Sequence, residues 1–259
     1  MMASAVDALP CHFGGDGELF GLYHSTPGTA RKAVLLCPPL GQDLIRSHRV
    51  YRQLAETLAA NGTAALRFDY YGSGDSAGDS VELDWARSIA NIVTATAELR
   101  ARSGCDRVVA FGARLGGSLA LATAAAGHFA ELIVWDPIID GSAHVAQLDE
   151  LQARLQLDPG RFIRPRSAAD VAGQWLGFPV SPRLRQQLGE LHLQRSGTRT
   201  LVLDSLPAAS ARQWDRLDRD ATVEYLEAPT YWDDLDRLEH AILSPELVRR
   251  VTARLAEMG

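Results

Sequence analysis

Residues 107–127 read RVVAFGARLGGSLALATAAAG, and this stretch decides the fold. Val108, Val109, Ala110 and Phe111 form a short apolar run of the kind buried inside a sheet. Glycines at 112, 116 and 117 mark a sharp turn where backbone must pass close to backbone. The Ala- and Leu-rich residues behind them favour a helix. Strand, glycine turn and helix in direct succession make half of a parallel β–α–β unit.

Outward from this unit the same alternation repeats. Upstream, CHFGG, ELFGLYHS and KAVLLCPP read as strands, and SHRVYRQLAETLAANG reads as a helix. Val50, Leu54 and Leu58 recur on one face of that helix, and Asn61-Gly62 supplies the left-handed stop. TAALRFDYY is the next strand, GSGDSAGDS a polar loop, and LDWARSIANIVTATAELRARSG a helix with Trp85, Ile89, Ile92 and Leu99 facing inward. Thr96 interrupts that face and can pack by its methyl group. Downstream, ELIVWDP, TRTLVLDS and ATVEYLEA are strands. The last helix opens SPELVRRVTARL, with Ser244 as N-cap, Pro245 in the first turn and Leu247, Val251 and Leu255 inward. Between about Gly141 and Gly197 the pattern turns polar, Arg- and Gln-rich and helical. A mostly parallel central sheet flanked by helices is therefore expected, with core segments 1–140 and 198–259 and a small helical cap at 141–197.

The 259 residues suit one large α/β domain, and 46% hydrophobic content supports a sizeable core. A net charge of -6 argues against nucleic-acid binding, which needs a surplus of Lys and Arg. No apolar run reaches the ~18–20 residues that span a bilayer, and MMASAVDALPCHFGG lacks the features of a signal peptide. Three scattered cysteines (Cys11, Cys37, Cys105) read as reduced thiols in a cytoplasmic protein. Seven dispersed histidines without HExxH give no support for a metal, and no motif calls for a cofactor.

A strand–turn–helix of this kind carries G-x-S-x-G in α/β-hydrolases, where strained backbone lifts a serine into the pocket. The literal match, Gly74-Asp75-Ser76-Ala77-Gly78, lies in a polar loop with no helix behind it, so Ser76 is read as a decoy. The structural match is Gly112-Ala113-Arg114-Leu115-Gly116-Gly117. Arg114 stands at the serine position, and a guanidinium cannot act as a nucleophile.

SHRVYRQLAETLAANGTAALRFDYYGSGDSAGD, with CPPLGQ, FGARLGG, WDPIIDG and AGQWLGFPVSPRLRQQLGEL, resembles serine aminopeptidase-like α/β-hydrolases. Within them it is similar to the hydrolases associated with exosortase systems. One exosortase-associated subgroup also carries arginine at the elbow, so the resemblance implies that Arg114 is a subfamily feature. The resemblance further implies an acid after a late strand, which offers Asp204, with Asp136 one strand earlier. The histidine belongs before the last helix, where Tyr231-Trp232 stand at its nearest equivalent and His240 arrives late.

An arginine at a helix N-terminus meets like charge from the dipole, so a carboxylate partner is expected, either Asp204 or Asp136, or else a bound anion. As an internal pair it would plug the old site. As an anion clamp it would work with backbone N–H groups of Leu40 and Leu115 in an oxyanion-hole arrangement. Arg46, His48 and Arg49 stand near the rim, Arg46 as part of a solvated first turn. Asp69 and its glycines shape a turn below the pocket. Trp175, Trp214 and Trp232 would supply apolar walls, and Cys37 is more often inert in such a strand than reactive.

Three functions follow. The chain binds or transforms a small acyl, ester or carboxylate substrate without an acyl-enzyme, with Arg114 holding an anion, His240 or water moving a proton and Asp204 orienting it. Alternatively it is an inactive binding or scaffolding module in polysaccharide or natural-product assembly. Last, it is a hydrolase with a displaced nucleophile such as Cys37.

Overall fold

Strand β3 (Lys32–Cys37) divides the core by simple alternation. Ala33, Leu35 and Cys37 enter one apolar cluster, and Val34 and Leu36 enter another on the opposite face of the sheet. Both faces are therefore covered, as continuous apolar strands require. The computed structural model describes residues 8–162, 164, 166, 173–193, 195–217 and 221–258.

Strands β1 (Ala8–Phe13), β2 (Leu19–His24), β4 (Thr63–Phe68), β5 (Val108–Ala113), β6 (Glu131–Trp135), β9 (Thr200–Asp204) and β10 (Thr222–Tyr225) join β3 in one sheet. Its order is β1-β2-β4-β3-β5-β6-β9-β10. β1 pairs antiparallel with β2, and β2 with β4, while every other pair is parallel. Helices α1 (Gln42–Ala60) and α7 (Pro245–Glu257) bury Leu54, Leu58, Leu247 and Val251 on one face. Helices α2 (Trp85–Ser103) and α3 (Arg114–Ala122) bury Ile92, Leu99 and Leu119 on the other. Each such leucine or isoleucine contributes roughly 1.5–3 kcal/mol by leaving water. The expected mostly parallel sheet with flanking helices is the fold observed.

Several boundaries follow the expected chemistry. Asn61 caps α1 and Gly62 follows at φ 81°, Gly104 closes α2 in the left-handed region, and Ser244 accepts the Leu247 N–H to start α7. Thr96 is fully buried and donates its hydroxyl to the Ile92 carbonyl. Two boundaries differ. The helix behind the elbow breaks at Thr123 into α3 and the short α4 (Ala124–Gly127). Helix α1 begins five residues before the expected Ser47, directly after Gly41 at φ 59°. That extra turn carries Asp43, which matters below.

Between β6 and β9 lie α5 (Gly141–Gln156), a hairpin of β7 (Gln174–Trp175) with β8 (Phe178–Pro179), and α6 (Pro182–Gly189). The hairpin was not expected, because each strand is two residues long and gives no periodic signal. Residues 163, 165, 167–172 and 194 of the expected cap lie outside the described residues, as do residues 1–7 of the expected leader-free N-terminus. Among the described residues no helix is long and apolar enough to cross a membrane.

Candidate functional site

Arg114 is the first residue of α3, at the tip of the turn after β5, with φ 48°. A non-glycine side chain held there costs on the order of 1–3 kcal/mol and persists only where the surroundings dictate it. The glycines supply that constraint. A Cβ on Gly112 would come within 2.4 Å of the Gly116 carbonyl oxygen, and one on Gly116 within 2.4 Å of the Cys37 carbonyl oxygen. Tyr51 ties the strand ends together from α1, donating to the Cys37 carbonyl and accepting the Ala113 N–H, both at 2.8 Å.

The guanidinium is turned into the protein, with 5% of the side chain exposed. Its Nε donates to Asp43 Oδ2 and its Nη2 to Asp233 Oδ1, each at 3.2 Å. Its Cζ lies 5.5 Å from the Trp232 ring centroid. These carboxylates replace the expected partners Asp204 and Asp136, and both come from segments with no motif. Asp43 is on the unexpected first turn of α1, and Asp233 is in the loop after β10. Burial alone would lower the Arg114 pKa, but Asp233, Asp43 and Asp136 together outweigh it and hold the group above its ordinary value. Burial pushes Asp43 up to about 6, with Asp233 adding to the rise and Arg114 opposing it. An anionic ligand would have to displace one of these carboxylates from the arginine.

Asp136, expected in the pocket, does not line the cavity and sits fully buried at φ 44°. It accepts the Ser205 N–H at 2.7 Å, the Ser205 hydroxyl at 2.6 Å and the Trp232 indole N–H at 2.8 Å. Burial raises its pKa, and those three donors and Arg114 oppose the rise. Trp232 is therefore fixed at both ends, by Asp136 and by an edge-to-face contact with Trp135 at 4.8 Å.

Asp204 belongs elsewhere. It accepts from Arg212 Nε at 2.6 Å, the Trp214 indole at 2.8 Å and the Leu206 N–H at 2.9 Å, pinning the loop after β9. His240 is exposed, and its carbonyl accepts from Arg46 Nε; its ring does not fold back to the elbow. Proton transfer by His240 oriented by Asp204 is thus not built here. His48 is also exposed and lines a separate small cavity with Arg67 and Asp69. Arg46 is buried, not solvated: it donates to the carbonyls of Tyr231, Trp232 and His240 and so holds the loop that presents Asp233.

A cavity of about 360 Å3 opens beside this cluster. Leu40, Leu115, Asp43 and Asp233 line it together with Trp175, Phe178 and Trp232. The Leu115 N–H lies in the first turn of α3, where no intrahelical acceptor exists. Trp214 lines a neighbouring, more polar cavity that also reaches Arg114 and Asp233. His144 of α5 borders both cavities. It is 5% exposed, its Nδ1 has no hydrogen-bond partner, and burial with help from Arg114 lowers its pKa to about 3. No motif marks it, since a lone histidine in a polar helical stretch carries no recognisable pattern.

The two other candidate nucleophiles are structural. Ser76 accepts the Phe20 N–H at 2.9 Å and donates to the Asp69 carbonyl at 2.6 Å, stapling its loop to β2. Cys37 is fully buried, and burial alone pushes its thiol far above the ordinary range. Because the thiolate is the reactive form, iodoacetamide at neutral pH should leave Cys37 unmodified in the native protein and label it only after denaturation. Labelling at native rates, mapped to Cys37 by peptide mass, would restore it as a nucleophile.

The sequence pattern of the family described as "Serine aminopeptidase, S33" matches residues 28–165. No curated protein sequence matches. Solved structures share the fold at low identity. Hypothetical protein PA2218 from Pseudomonas aeruginosa superposes at TM-score 0.65 with 13% identity, covering 99% of this chain and 95% of its own. DcsB in complex with its substrate analogue gives 0.64 at 15% identity, covering 97% and 98%. Est1E from Butyrivibrio proteoclasticus gives 0.63 at 15% identity, covering 96% and 98%, and was also solved with ferulic acid bound.

Proposed function

The chain belongs to the serine aminopeptidase S33 family of α/β-hydrolases, and from that premise we propose that it binds a small acyl or ester ligand without forming an acyl-enzyme. We take 141–197 as the cap over that ligand. The observation that carries this reading is the guanidinium at the elbow, hydrogen-bonded to Asp43 and Asp233. No electron pair is available there to attack a carbonyl. Trp232 stands in the loop that supplies the general base in this fold, and its indole can only donate. Among the described residues His144 is the sole histidine at the cavity wall, and a group with a pKa lowered to about 3 accepts protons poorly. What persists is a mostly apolar concave site with a few polar groups, the common form of a ligand pocket.

The test pairs binding with turnover. Ethyl hexanoate should quench tryptophan fluorescence saturably, since Trp175 and Trp232 line the cavity. p-Nitrophenyl hexanoate should be hydrolysed no faster than with denatured protein, because nothing forms the acyl intermediate. Rapid hydrolysis with a burst of nitrophenol would defeat the reading, and so would the absence of any saturable quenching.

A further inference from the structure

Two cavities meet at the first turn of α5. The apolar one and the more polar one, which Gln147, Ser210 and Trp214 help to line, have two lining residues in common, His144 and Asp233. Asp233 is engaged by Arg114. The His144 ring is engaged by nothing among the described residues, although the residue is only 5% exposed. Its place is fixed by backbone. Asp140 caps α5 through the Ala143 N–H, and the His144 N–H donates to the Asp140 carbonyl at 3.1 Å. A Cβ on Gly141 would collide with the Leu188 carbonyl oxygen, so the start of α5 lies tight against the end of α6.

The two ring nitrogens are not equivalent. Nδ1 is sealed inside the protein, whereas Nε2 is not sealed and opens where His144 lines the cavities. Burial, with help from Arg114, lowers the pKa to about 3, so the ring is neutral. A neutral imidazole has one N–H and one bare nitrogen. A buried N–H left unpaired is rarer in proteins than an unpaired acceptor, so Nδ1 is the bare nitrogen and Nε2 carries the proton. The wall therefore presents an N–H donor with no acceptor in the protein, beside the apolar side chains of Leu115 and Leu148. Such a donor is costly until an oxygen accepts from it.

We propose that the Nε2–H of His144 holds the carbonyl oxygen of a bound ester at the junction of the two cavities. Polarity sets the orientation: the acyl chain lies against Leu148, Trp175 and Phe178, and the alcohol portion points toward Gln147 and Ser210. The proposal rests on the noncovalent binding reading above and adds the group that selects a carbonyl. It gives His144 the part of a hydrogen-bond donor, which a neutral imidazole fills without taking up a proton. A carbonyl leaves water at a cost unless a donor replaces its hydration. Without His144 an apolar cavity would thus favour the matching ether over the ester.

The experiment titrates ethyl hexanoate and ethyl hexyl ether, which differ only in C=O against CH2, into the wild-type protein, His144→Leu and His144→Gln. Tryptophan fluorescence and calorimetric heat follow the binding. The wild-type protein should bind the ester about threefold to tenfold more tightly than the ether, the span of one net hydrogen bond. His144→Leu should abolish or invert that preference and leave the ether's affinity unchanged. His144→Gln keeps an N–H donor and should restore part of the preference. The nitrogen NMR spectrum of the wild-type protein needs no variant, and there His144 Nε2 should carry the proton and respond to the ester far more than to the ether. Equal affinity of the wild-type protein for both compounds would overturn the assignment and leave noncovalent binding intact. So would an ester preference that survives His144→Leu, or a proton found on Nδ1. If neither compound binds, the assignment and the binding reading fail together.

Discussion

Arg114→Met is expected to cost roughly 3–5 kcal/mol at neutral pH, the range for removing one partner of a buried ion pair, and much less in mild acid. Methionine keeps an unbranched stem without the guanidinium and meets the same backbone strain at φ 48°, so the loss reports chiefly the missing charge and its hydrogen bonds. Asp43 and Asp233 would be left without the guanidinium that both now accept from. The pH dependence follows from the carboxyl pKa. Asp43 is already raised from 3.8 to about 6 in the folded protein. Between those values the native state holds more protons than the unfolded chain, so this group's contribution to stability falls as pH rises. Removing Arg114 raises the folded pKa further and extends the unfavourable window upward. Below about pH 4 the carboxyl is protonated in both states, and the variant's deficit from Asp43 should shrink. Urea denaturation of both proteins across that range measures it. A deficit independent of pH, or a stabilised variant, would show that Arg114 is not needed by its internal acids.

Gly116→Ala should be at least as damaging, in the range of several kcal/mol or outright failure to fold. Its Cβ would meet the Cys37 carbonyl oxygen at 2.4 Å and the Pro38 carbonyl oxygen at 2.5 Å. Both obstacles are backbone at the end of a central strand, which cannot turn aside as a flexible side chain would. Overpacking in a well-ordered core costs about 1–3 kcal/mol even where side chains give way. Gly28→Ala is the control, with nothing within 4 Å of the added carbon. Thermal melts should separate the two variants by about 10 °C or more. Similar melting temperatures would mean that the elbow is not packed against β3 as described.

The fold was legible because its signals are local and repeated. The strand–glycine–helix unit at 107–127, the stop at Asn61-Gly62 and the Ser244 cap each act within a few residues. The site was only half legible. Arg114 could be placed from glycine spacing, and its need for negative charge from its position at a helix N-terminus. Its partners could not be placed. Asp43 depends on α1 starting after a positive-φ glycine, and Asp233 on Arg46 binding three carbonyls of the loop that carries it. Asp204 and Asp136 were favoured because they end strands, yet they serve Arg212, Trp214, Ser205 and Trp232 instead. Which acids reach Arg114 is set by contacts 71 to 194 residues apart in sequence, and no local pattern encodes them.

The most direct measurement of the central proposal is the intact mass of the wild-type protein after incubation with a fluorophosphonate and, separately, with p-nitrophenyl hexanoate. Comparison with Arg114→Ser paired with Trp232→His puts a nucleophile and a base back at the elbow. The wild-type mass should stay unchanged with both reagents, while any adduct in the double variant should map to position 114. A stoichiometric adduct on the wild-type protein, at Ser76, at Cys37 or at a residue lining the cavity, would contradict a pocket that binds without covalent chemistry.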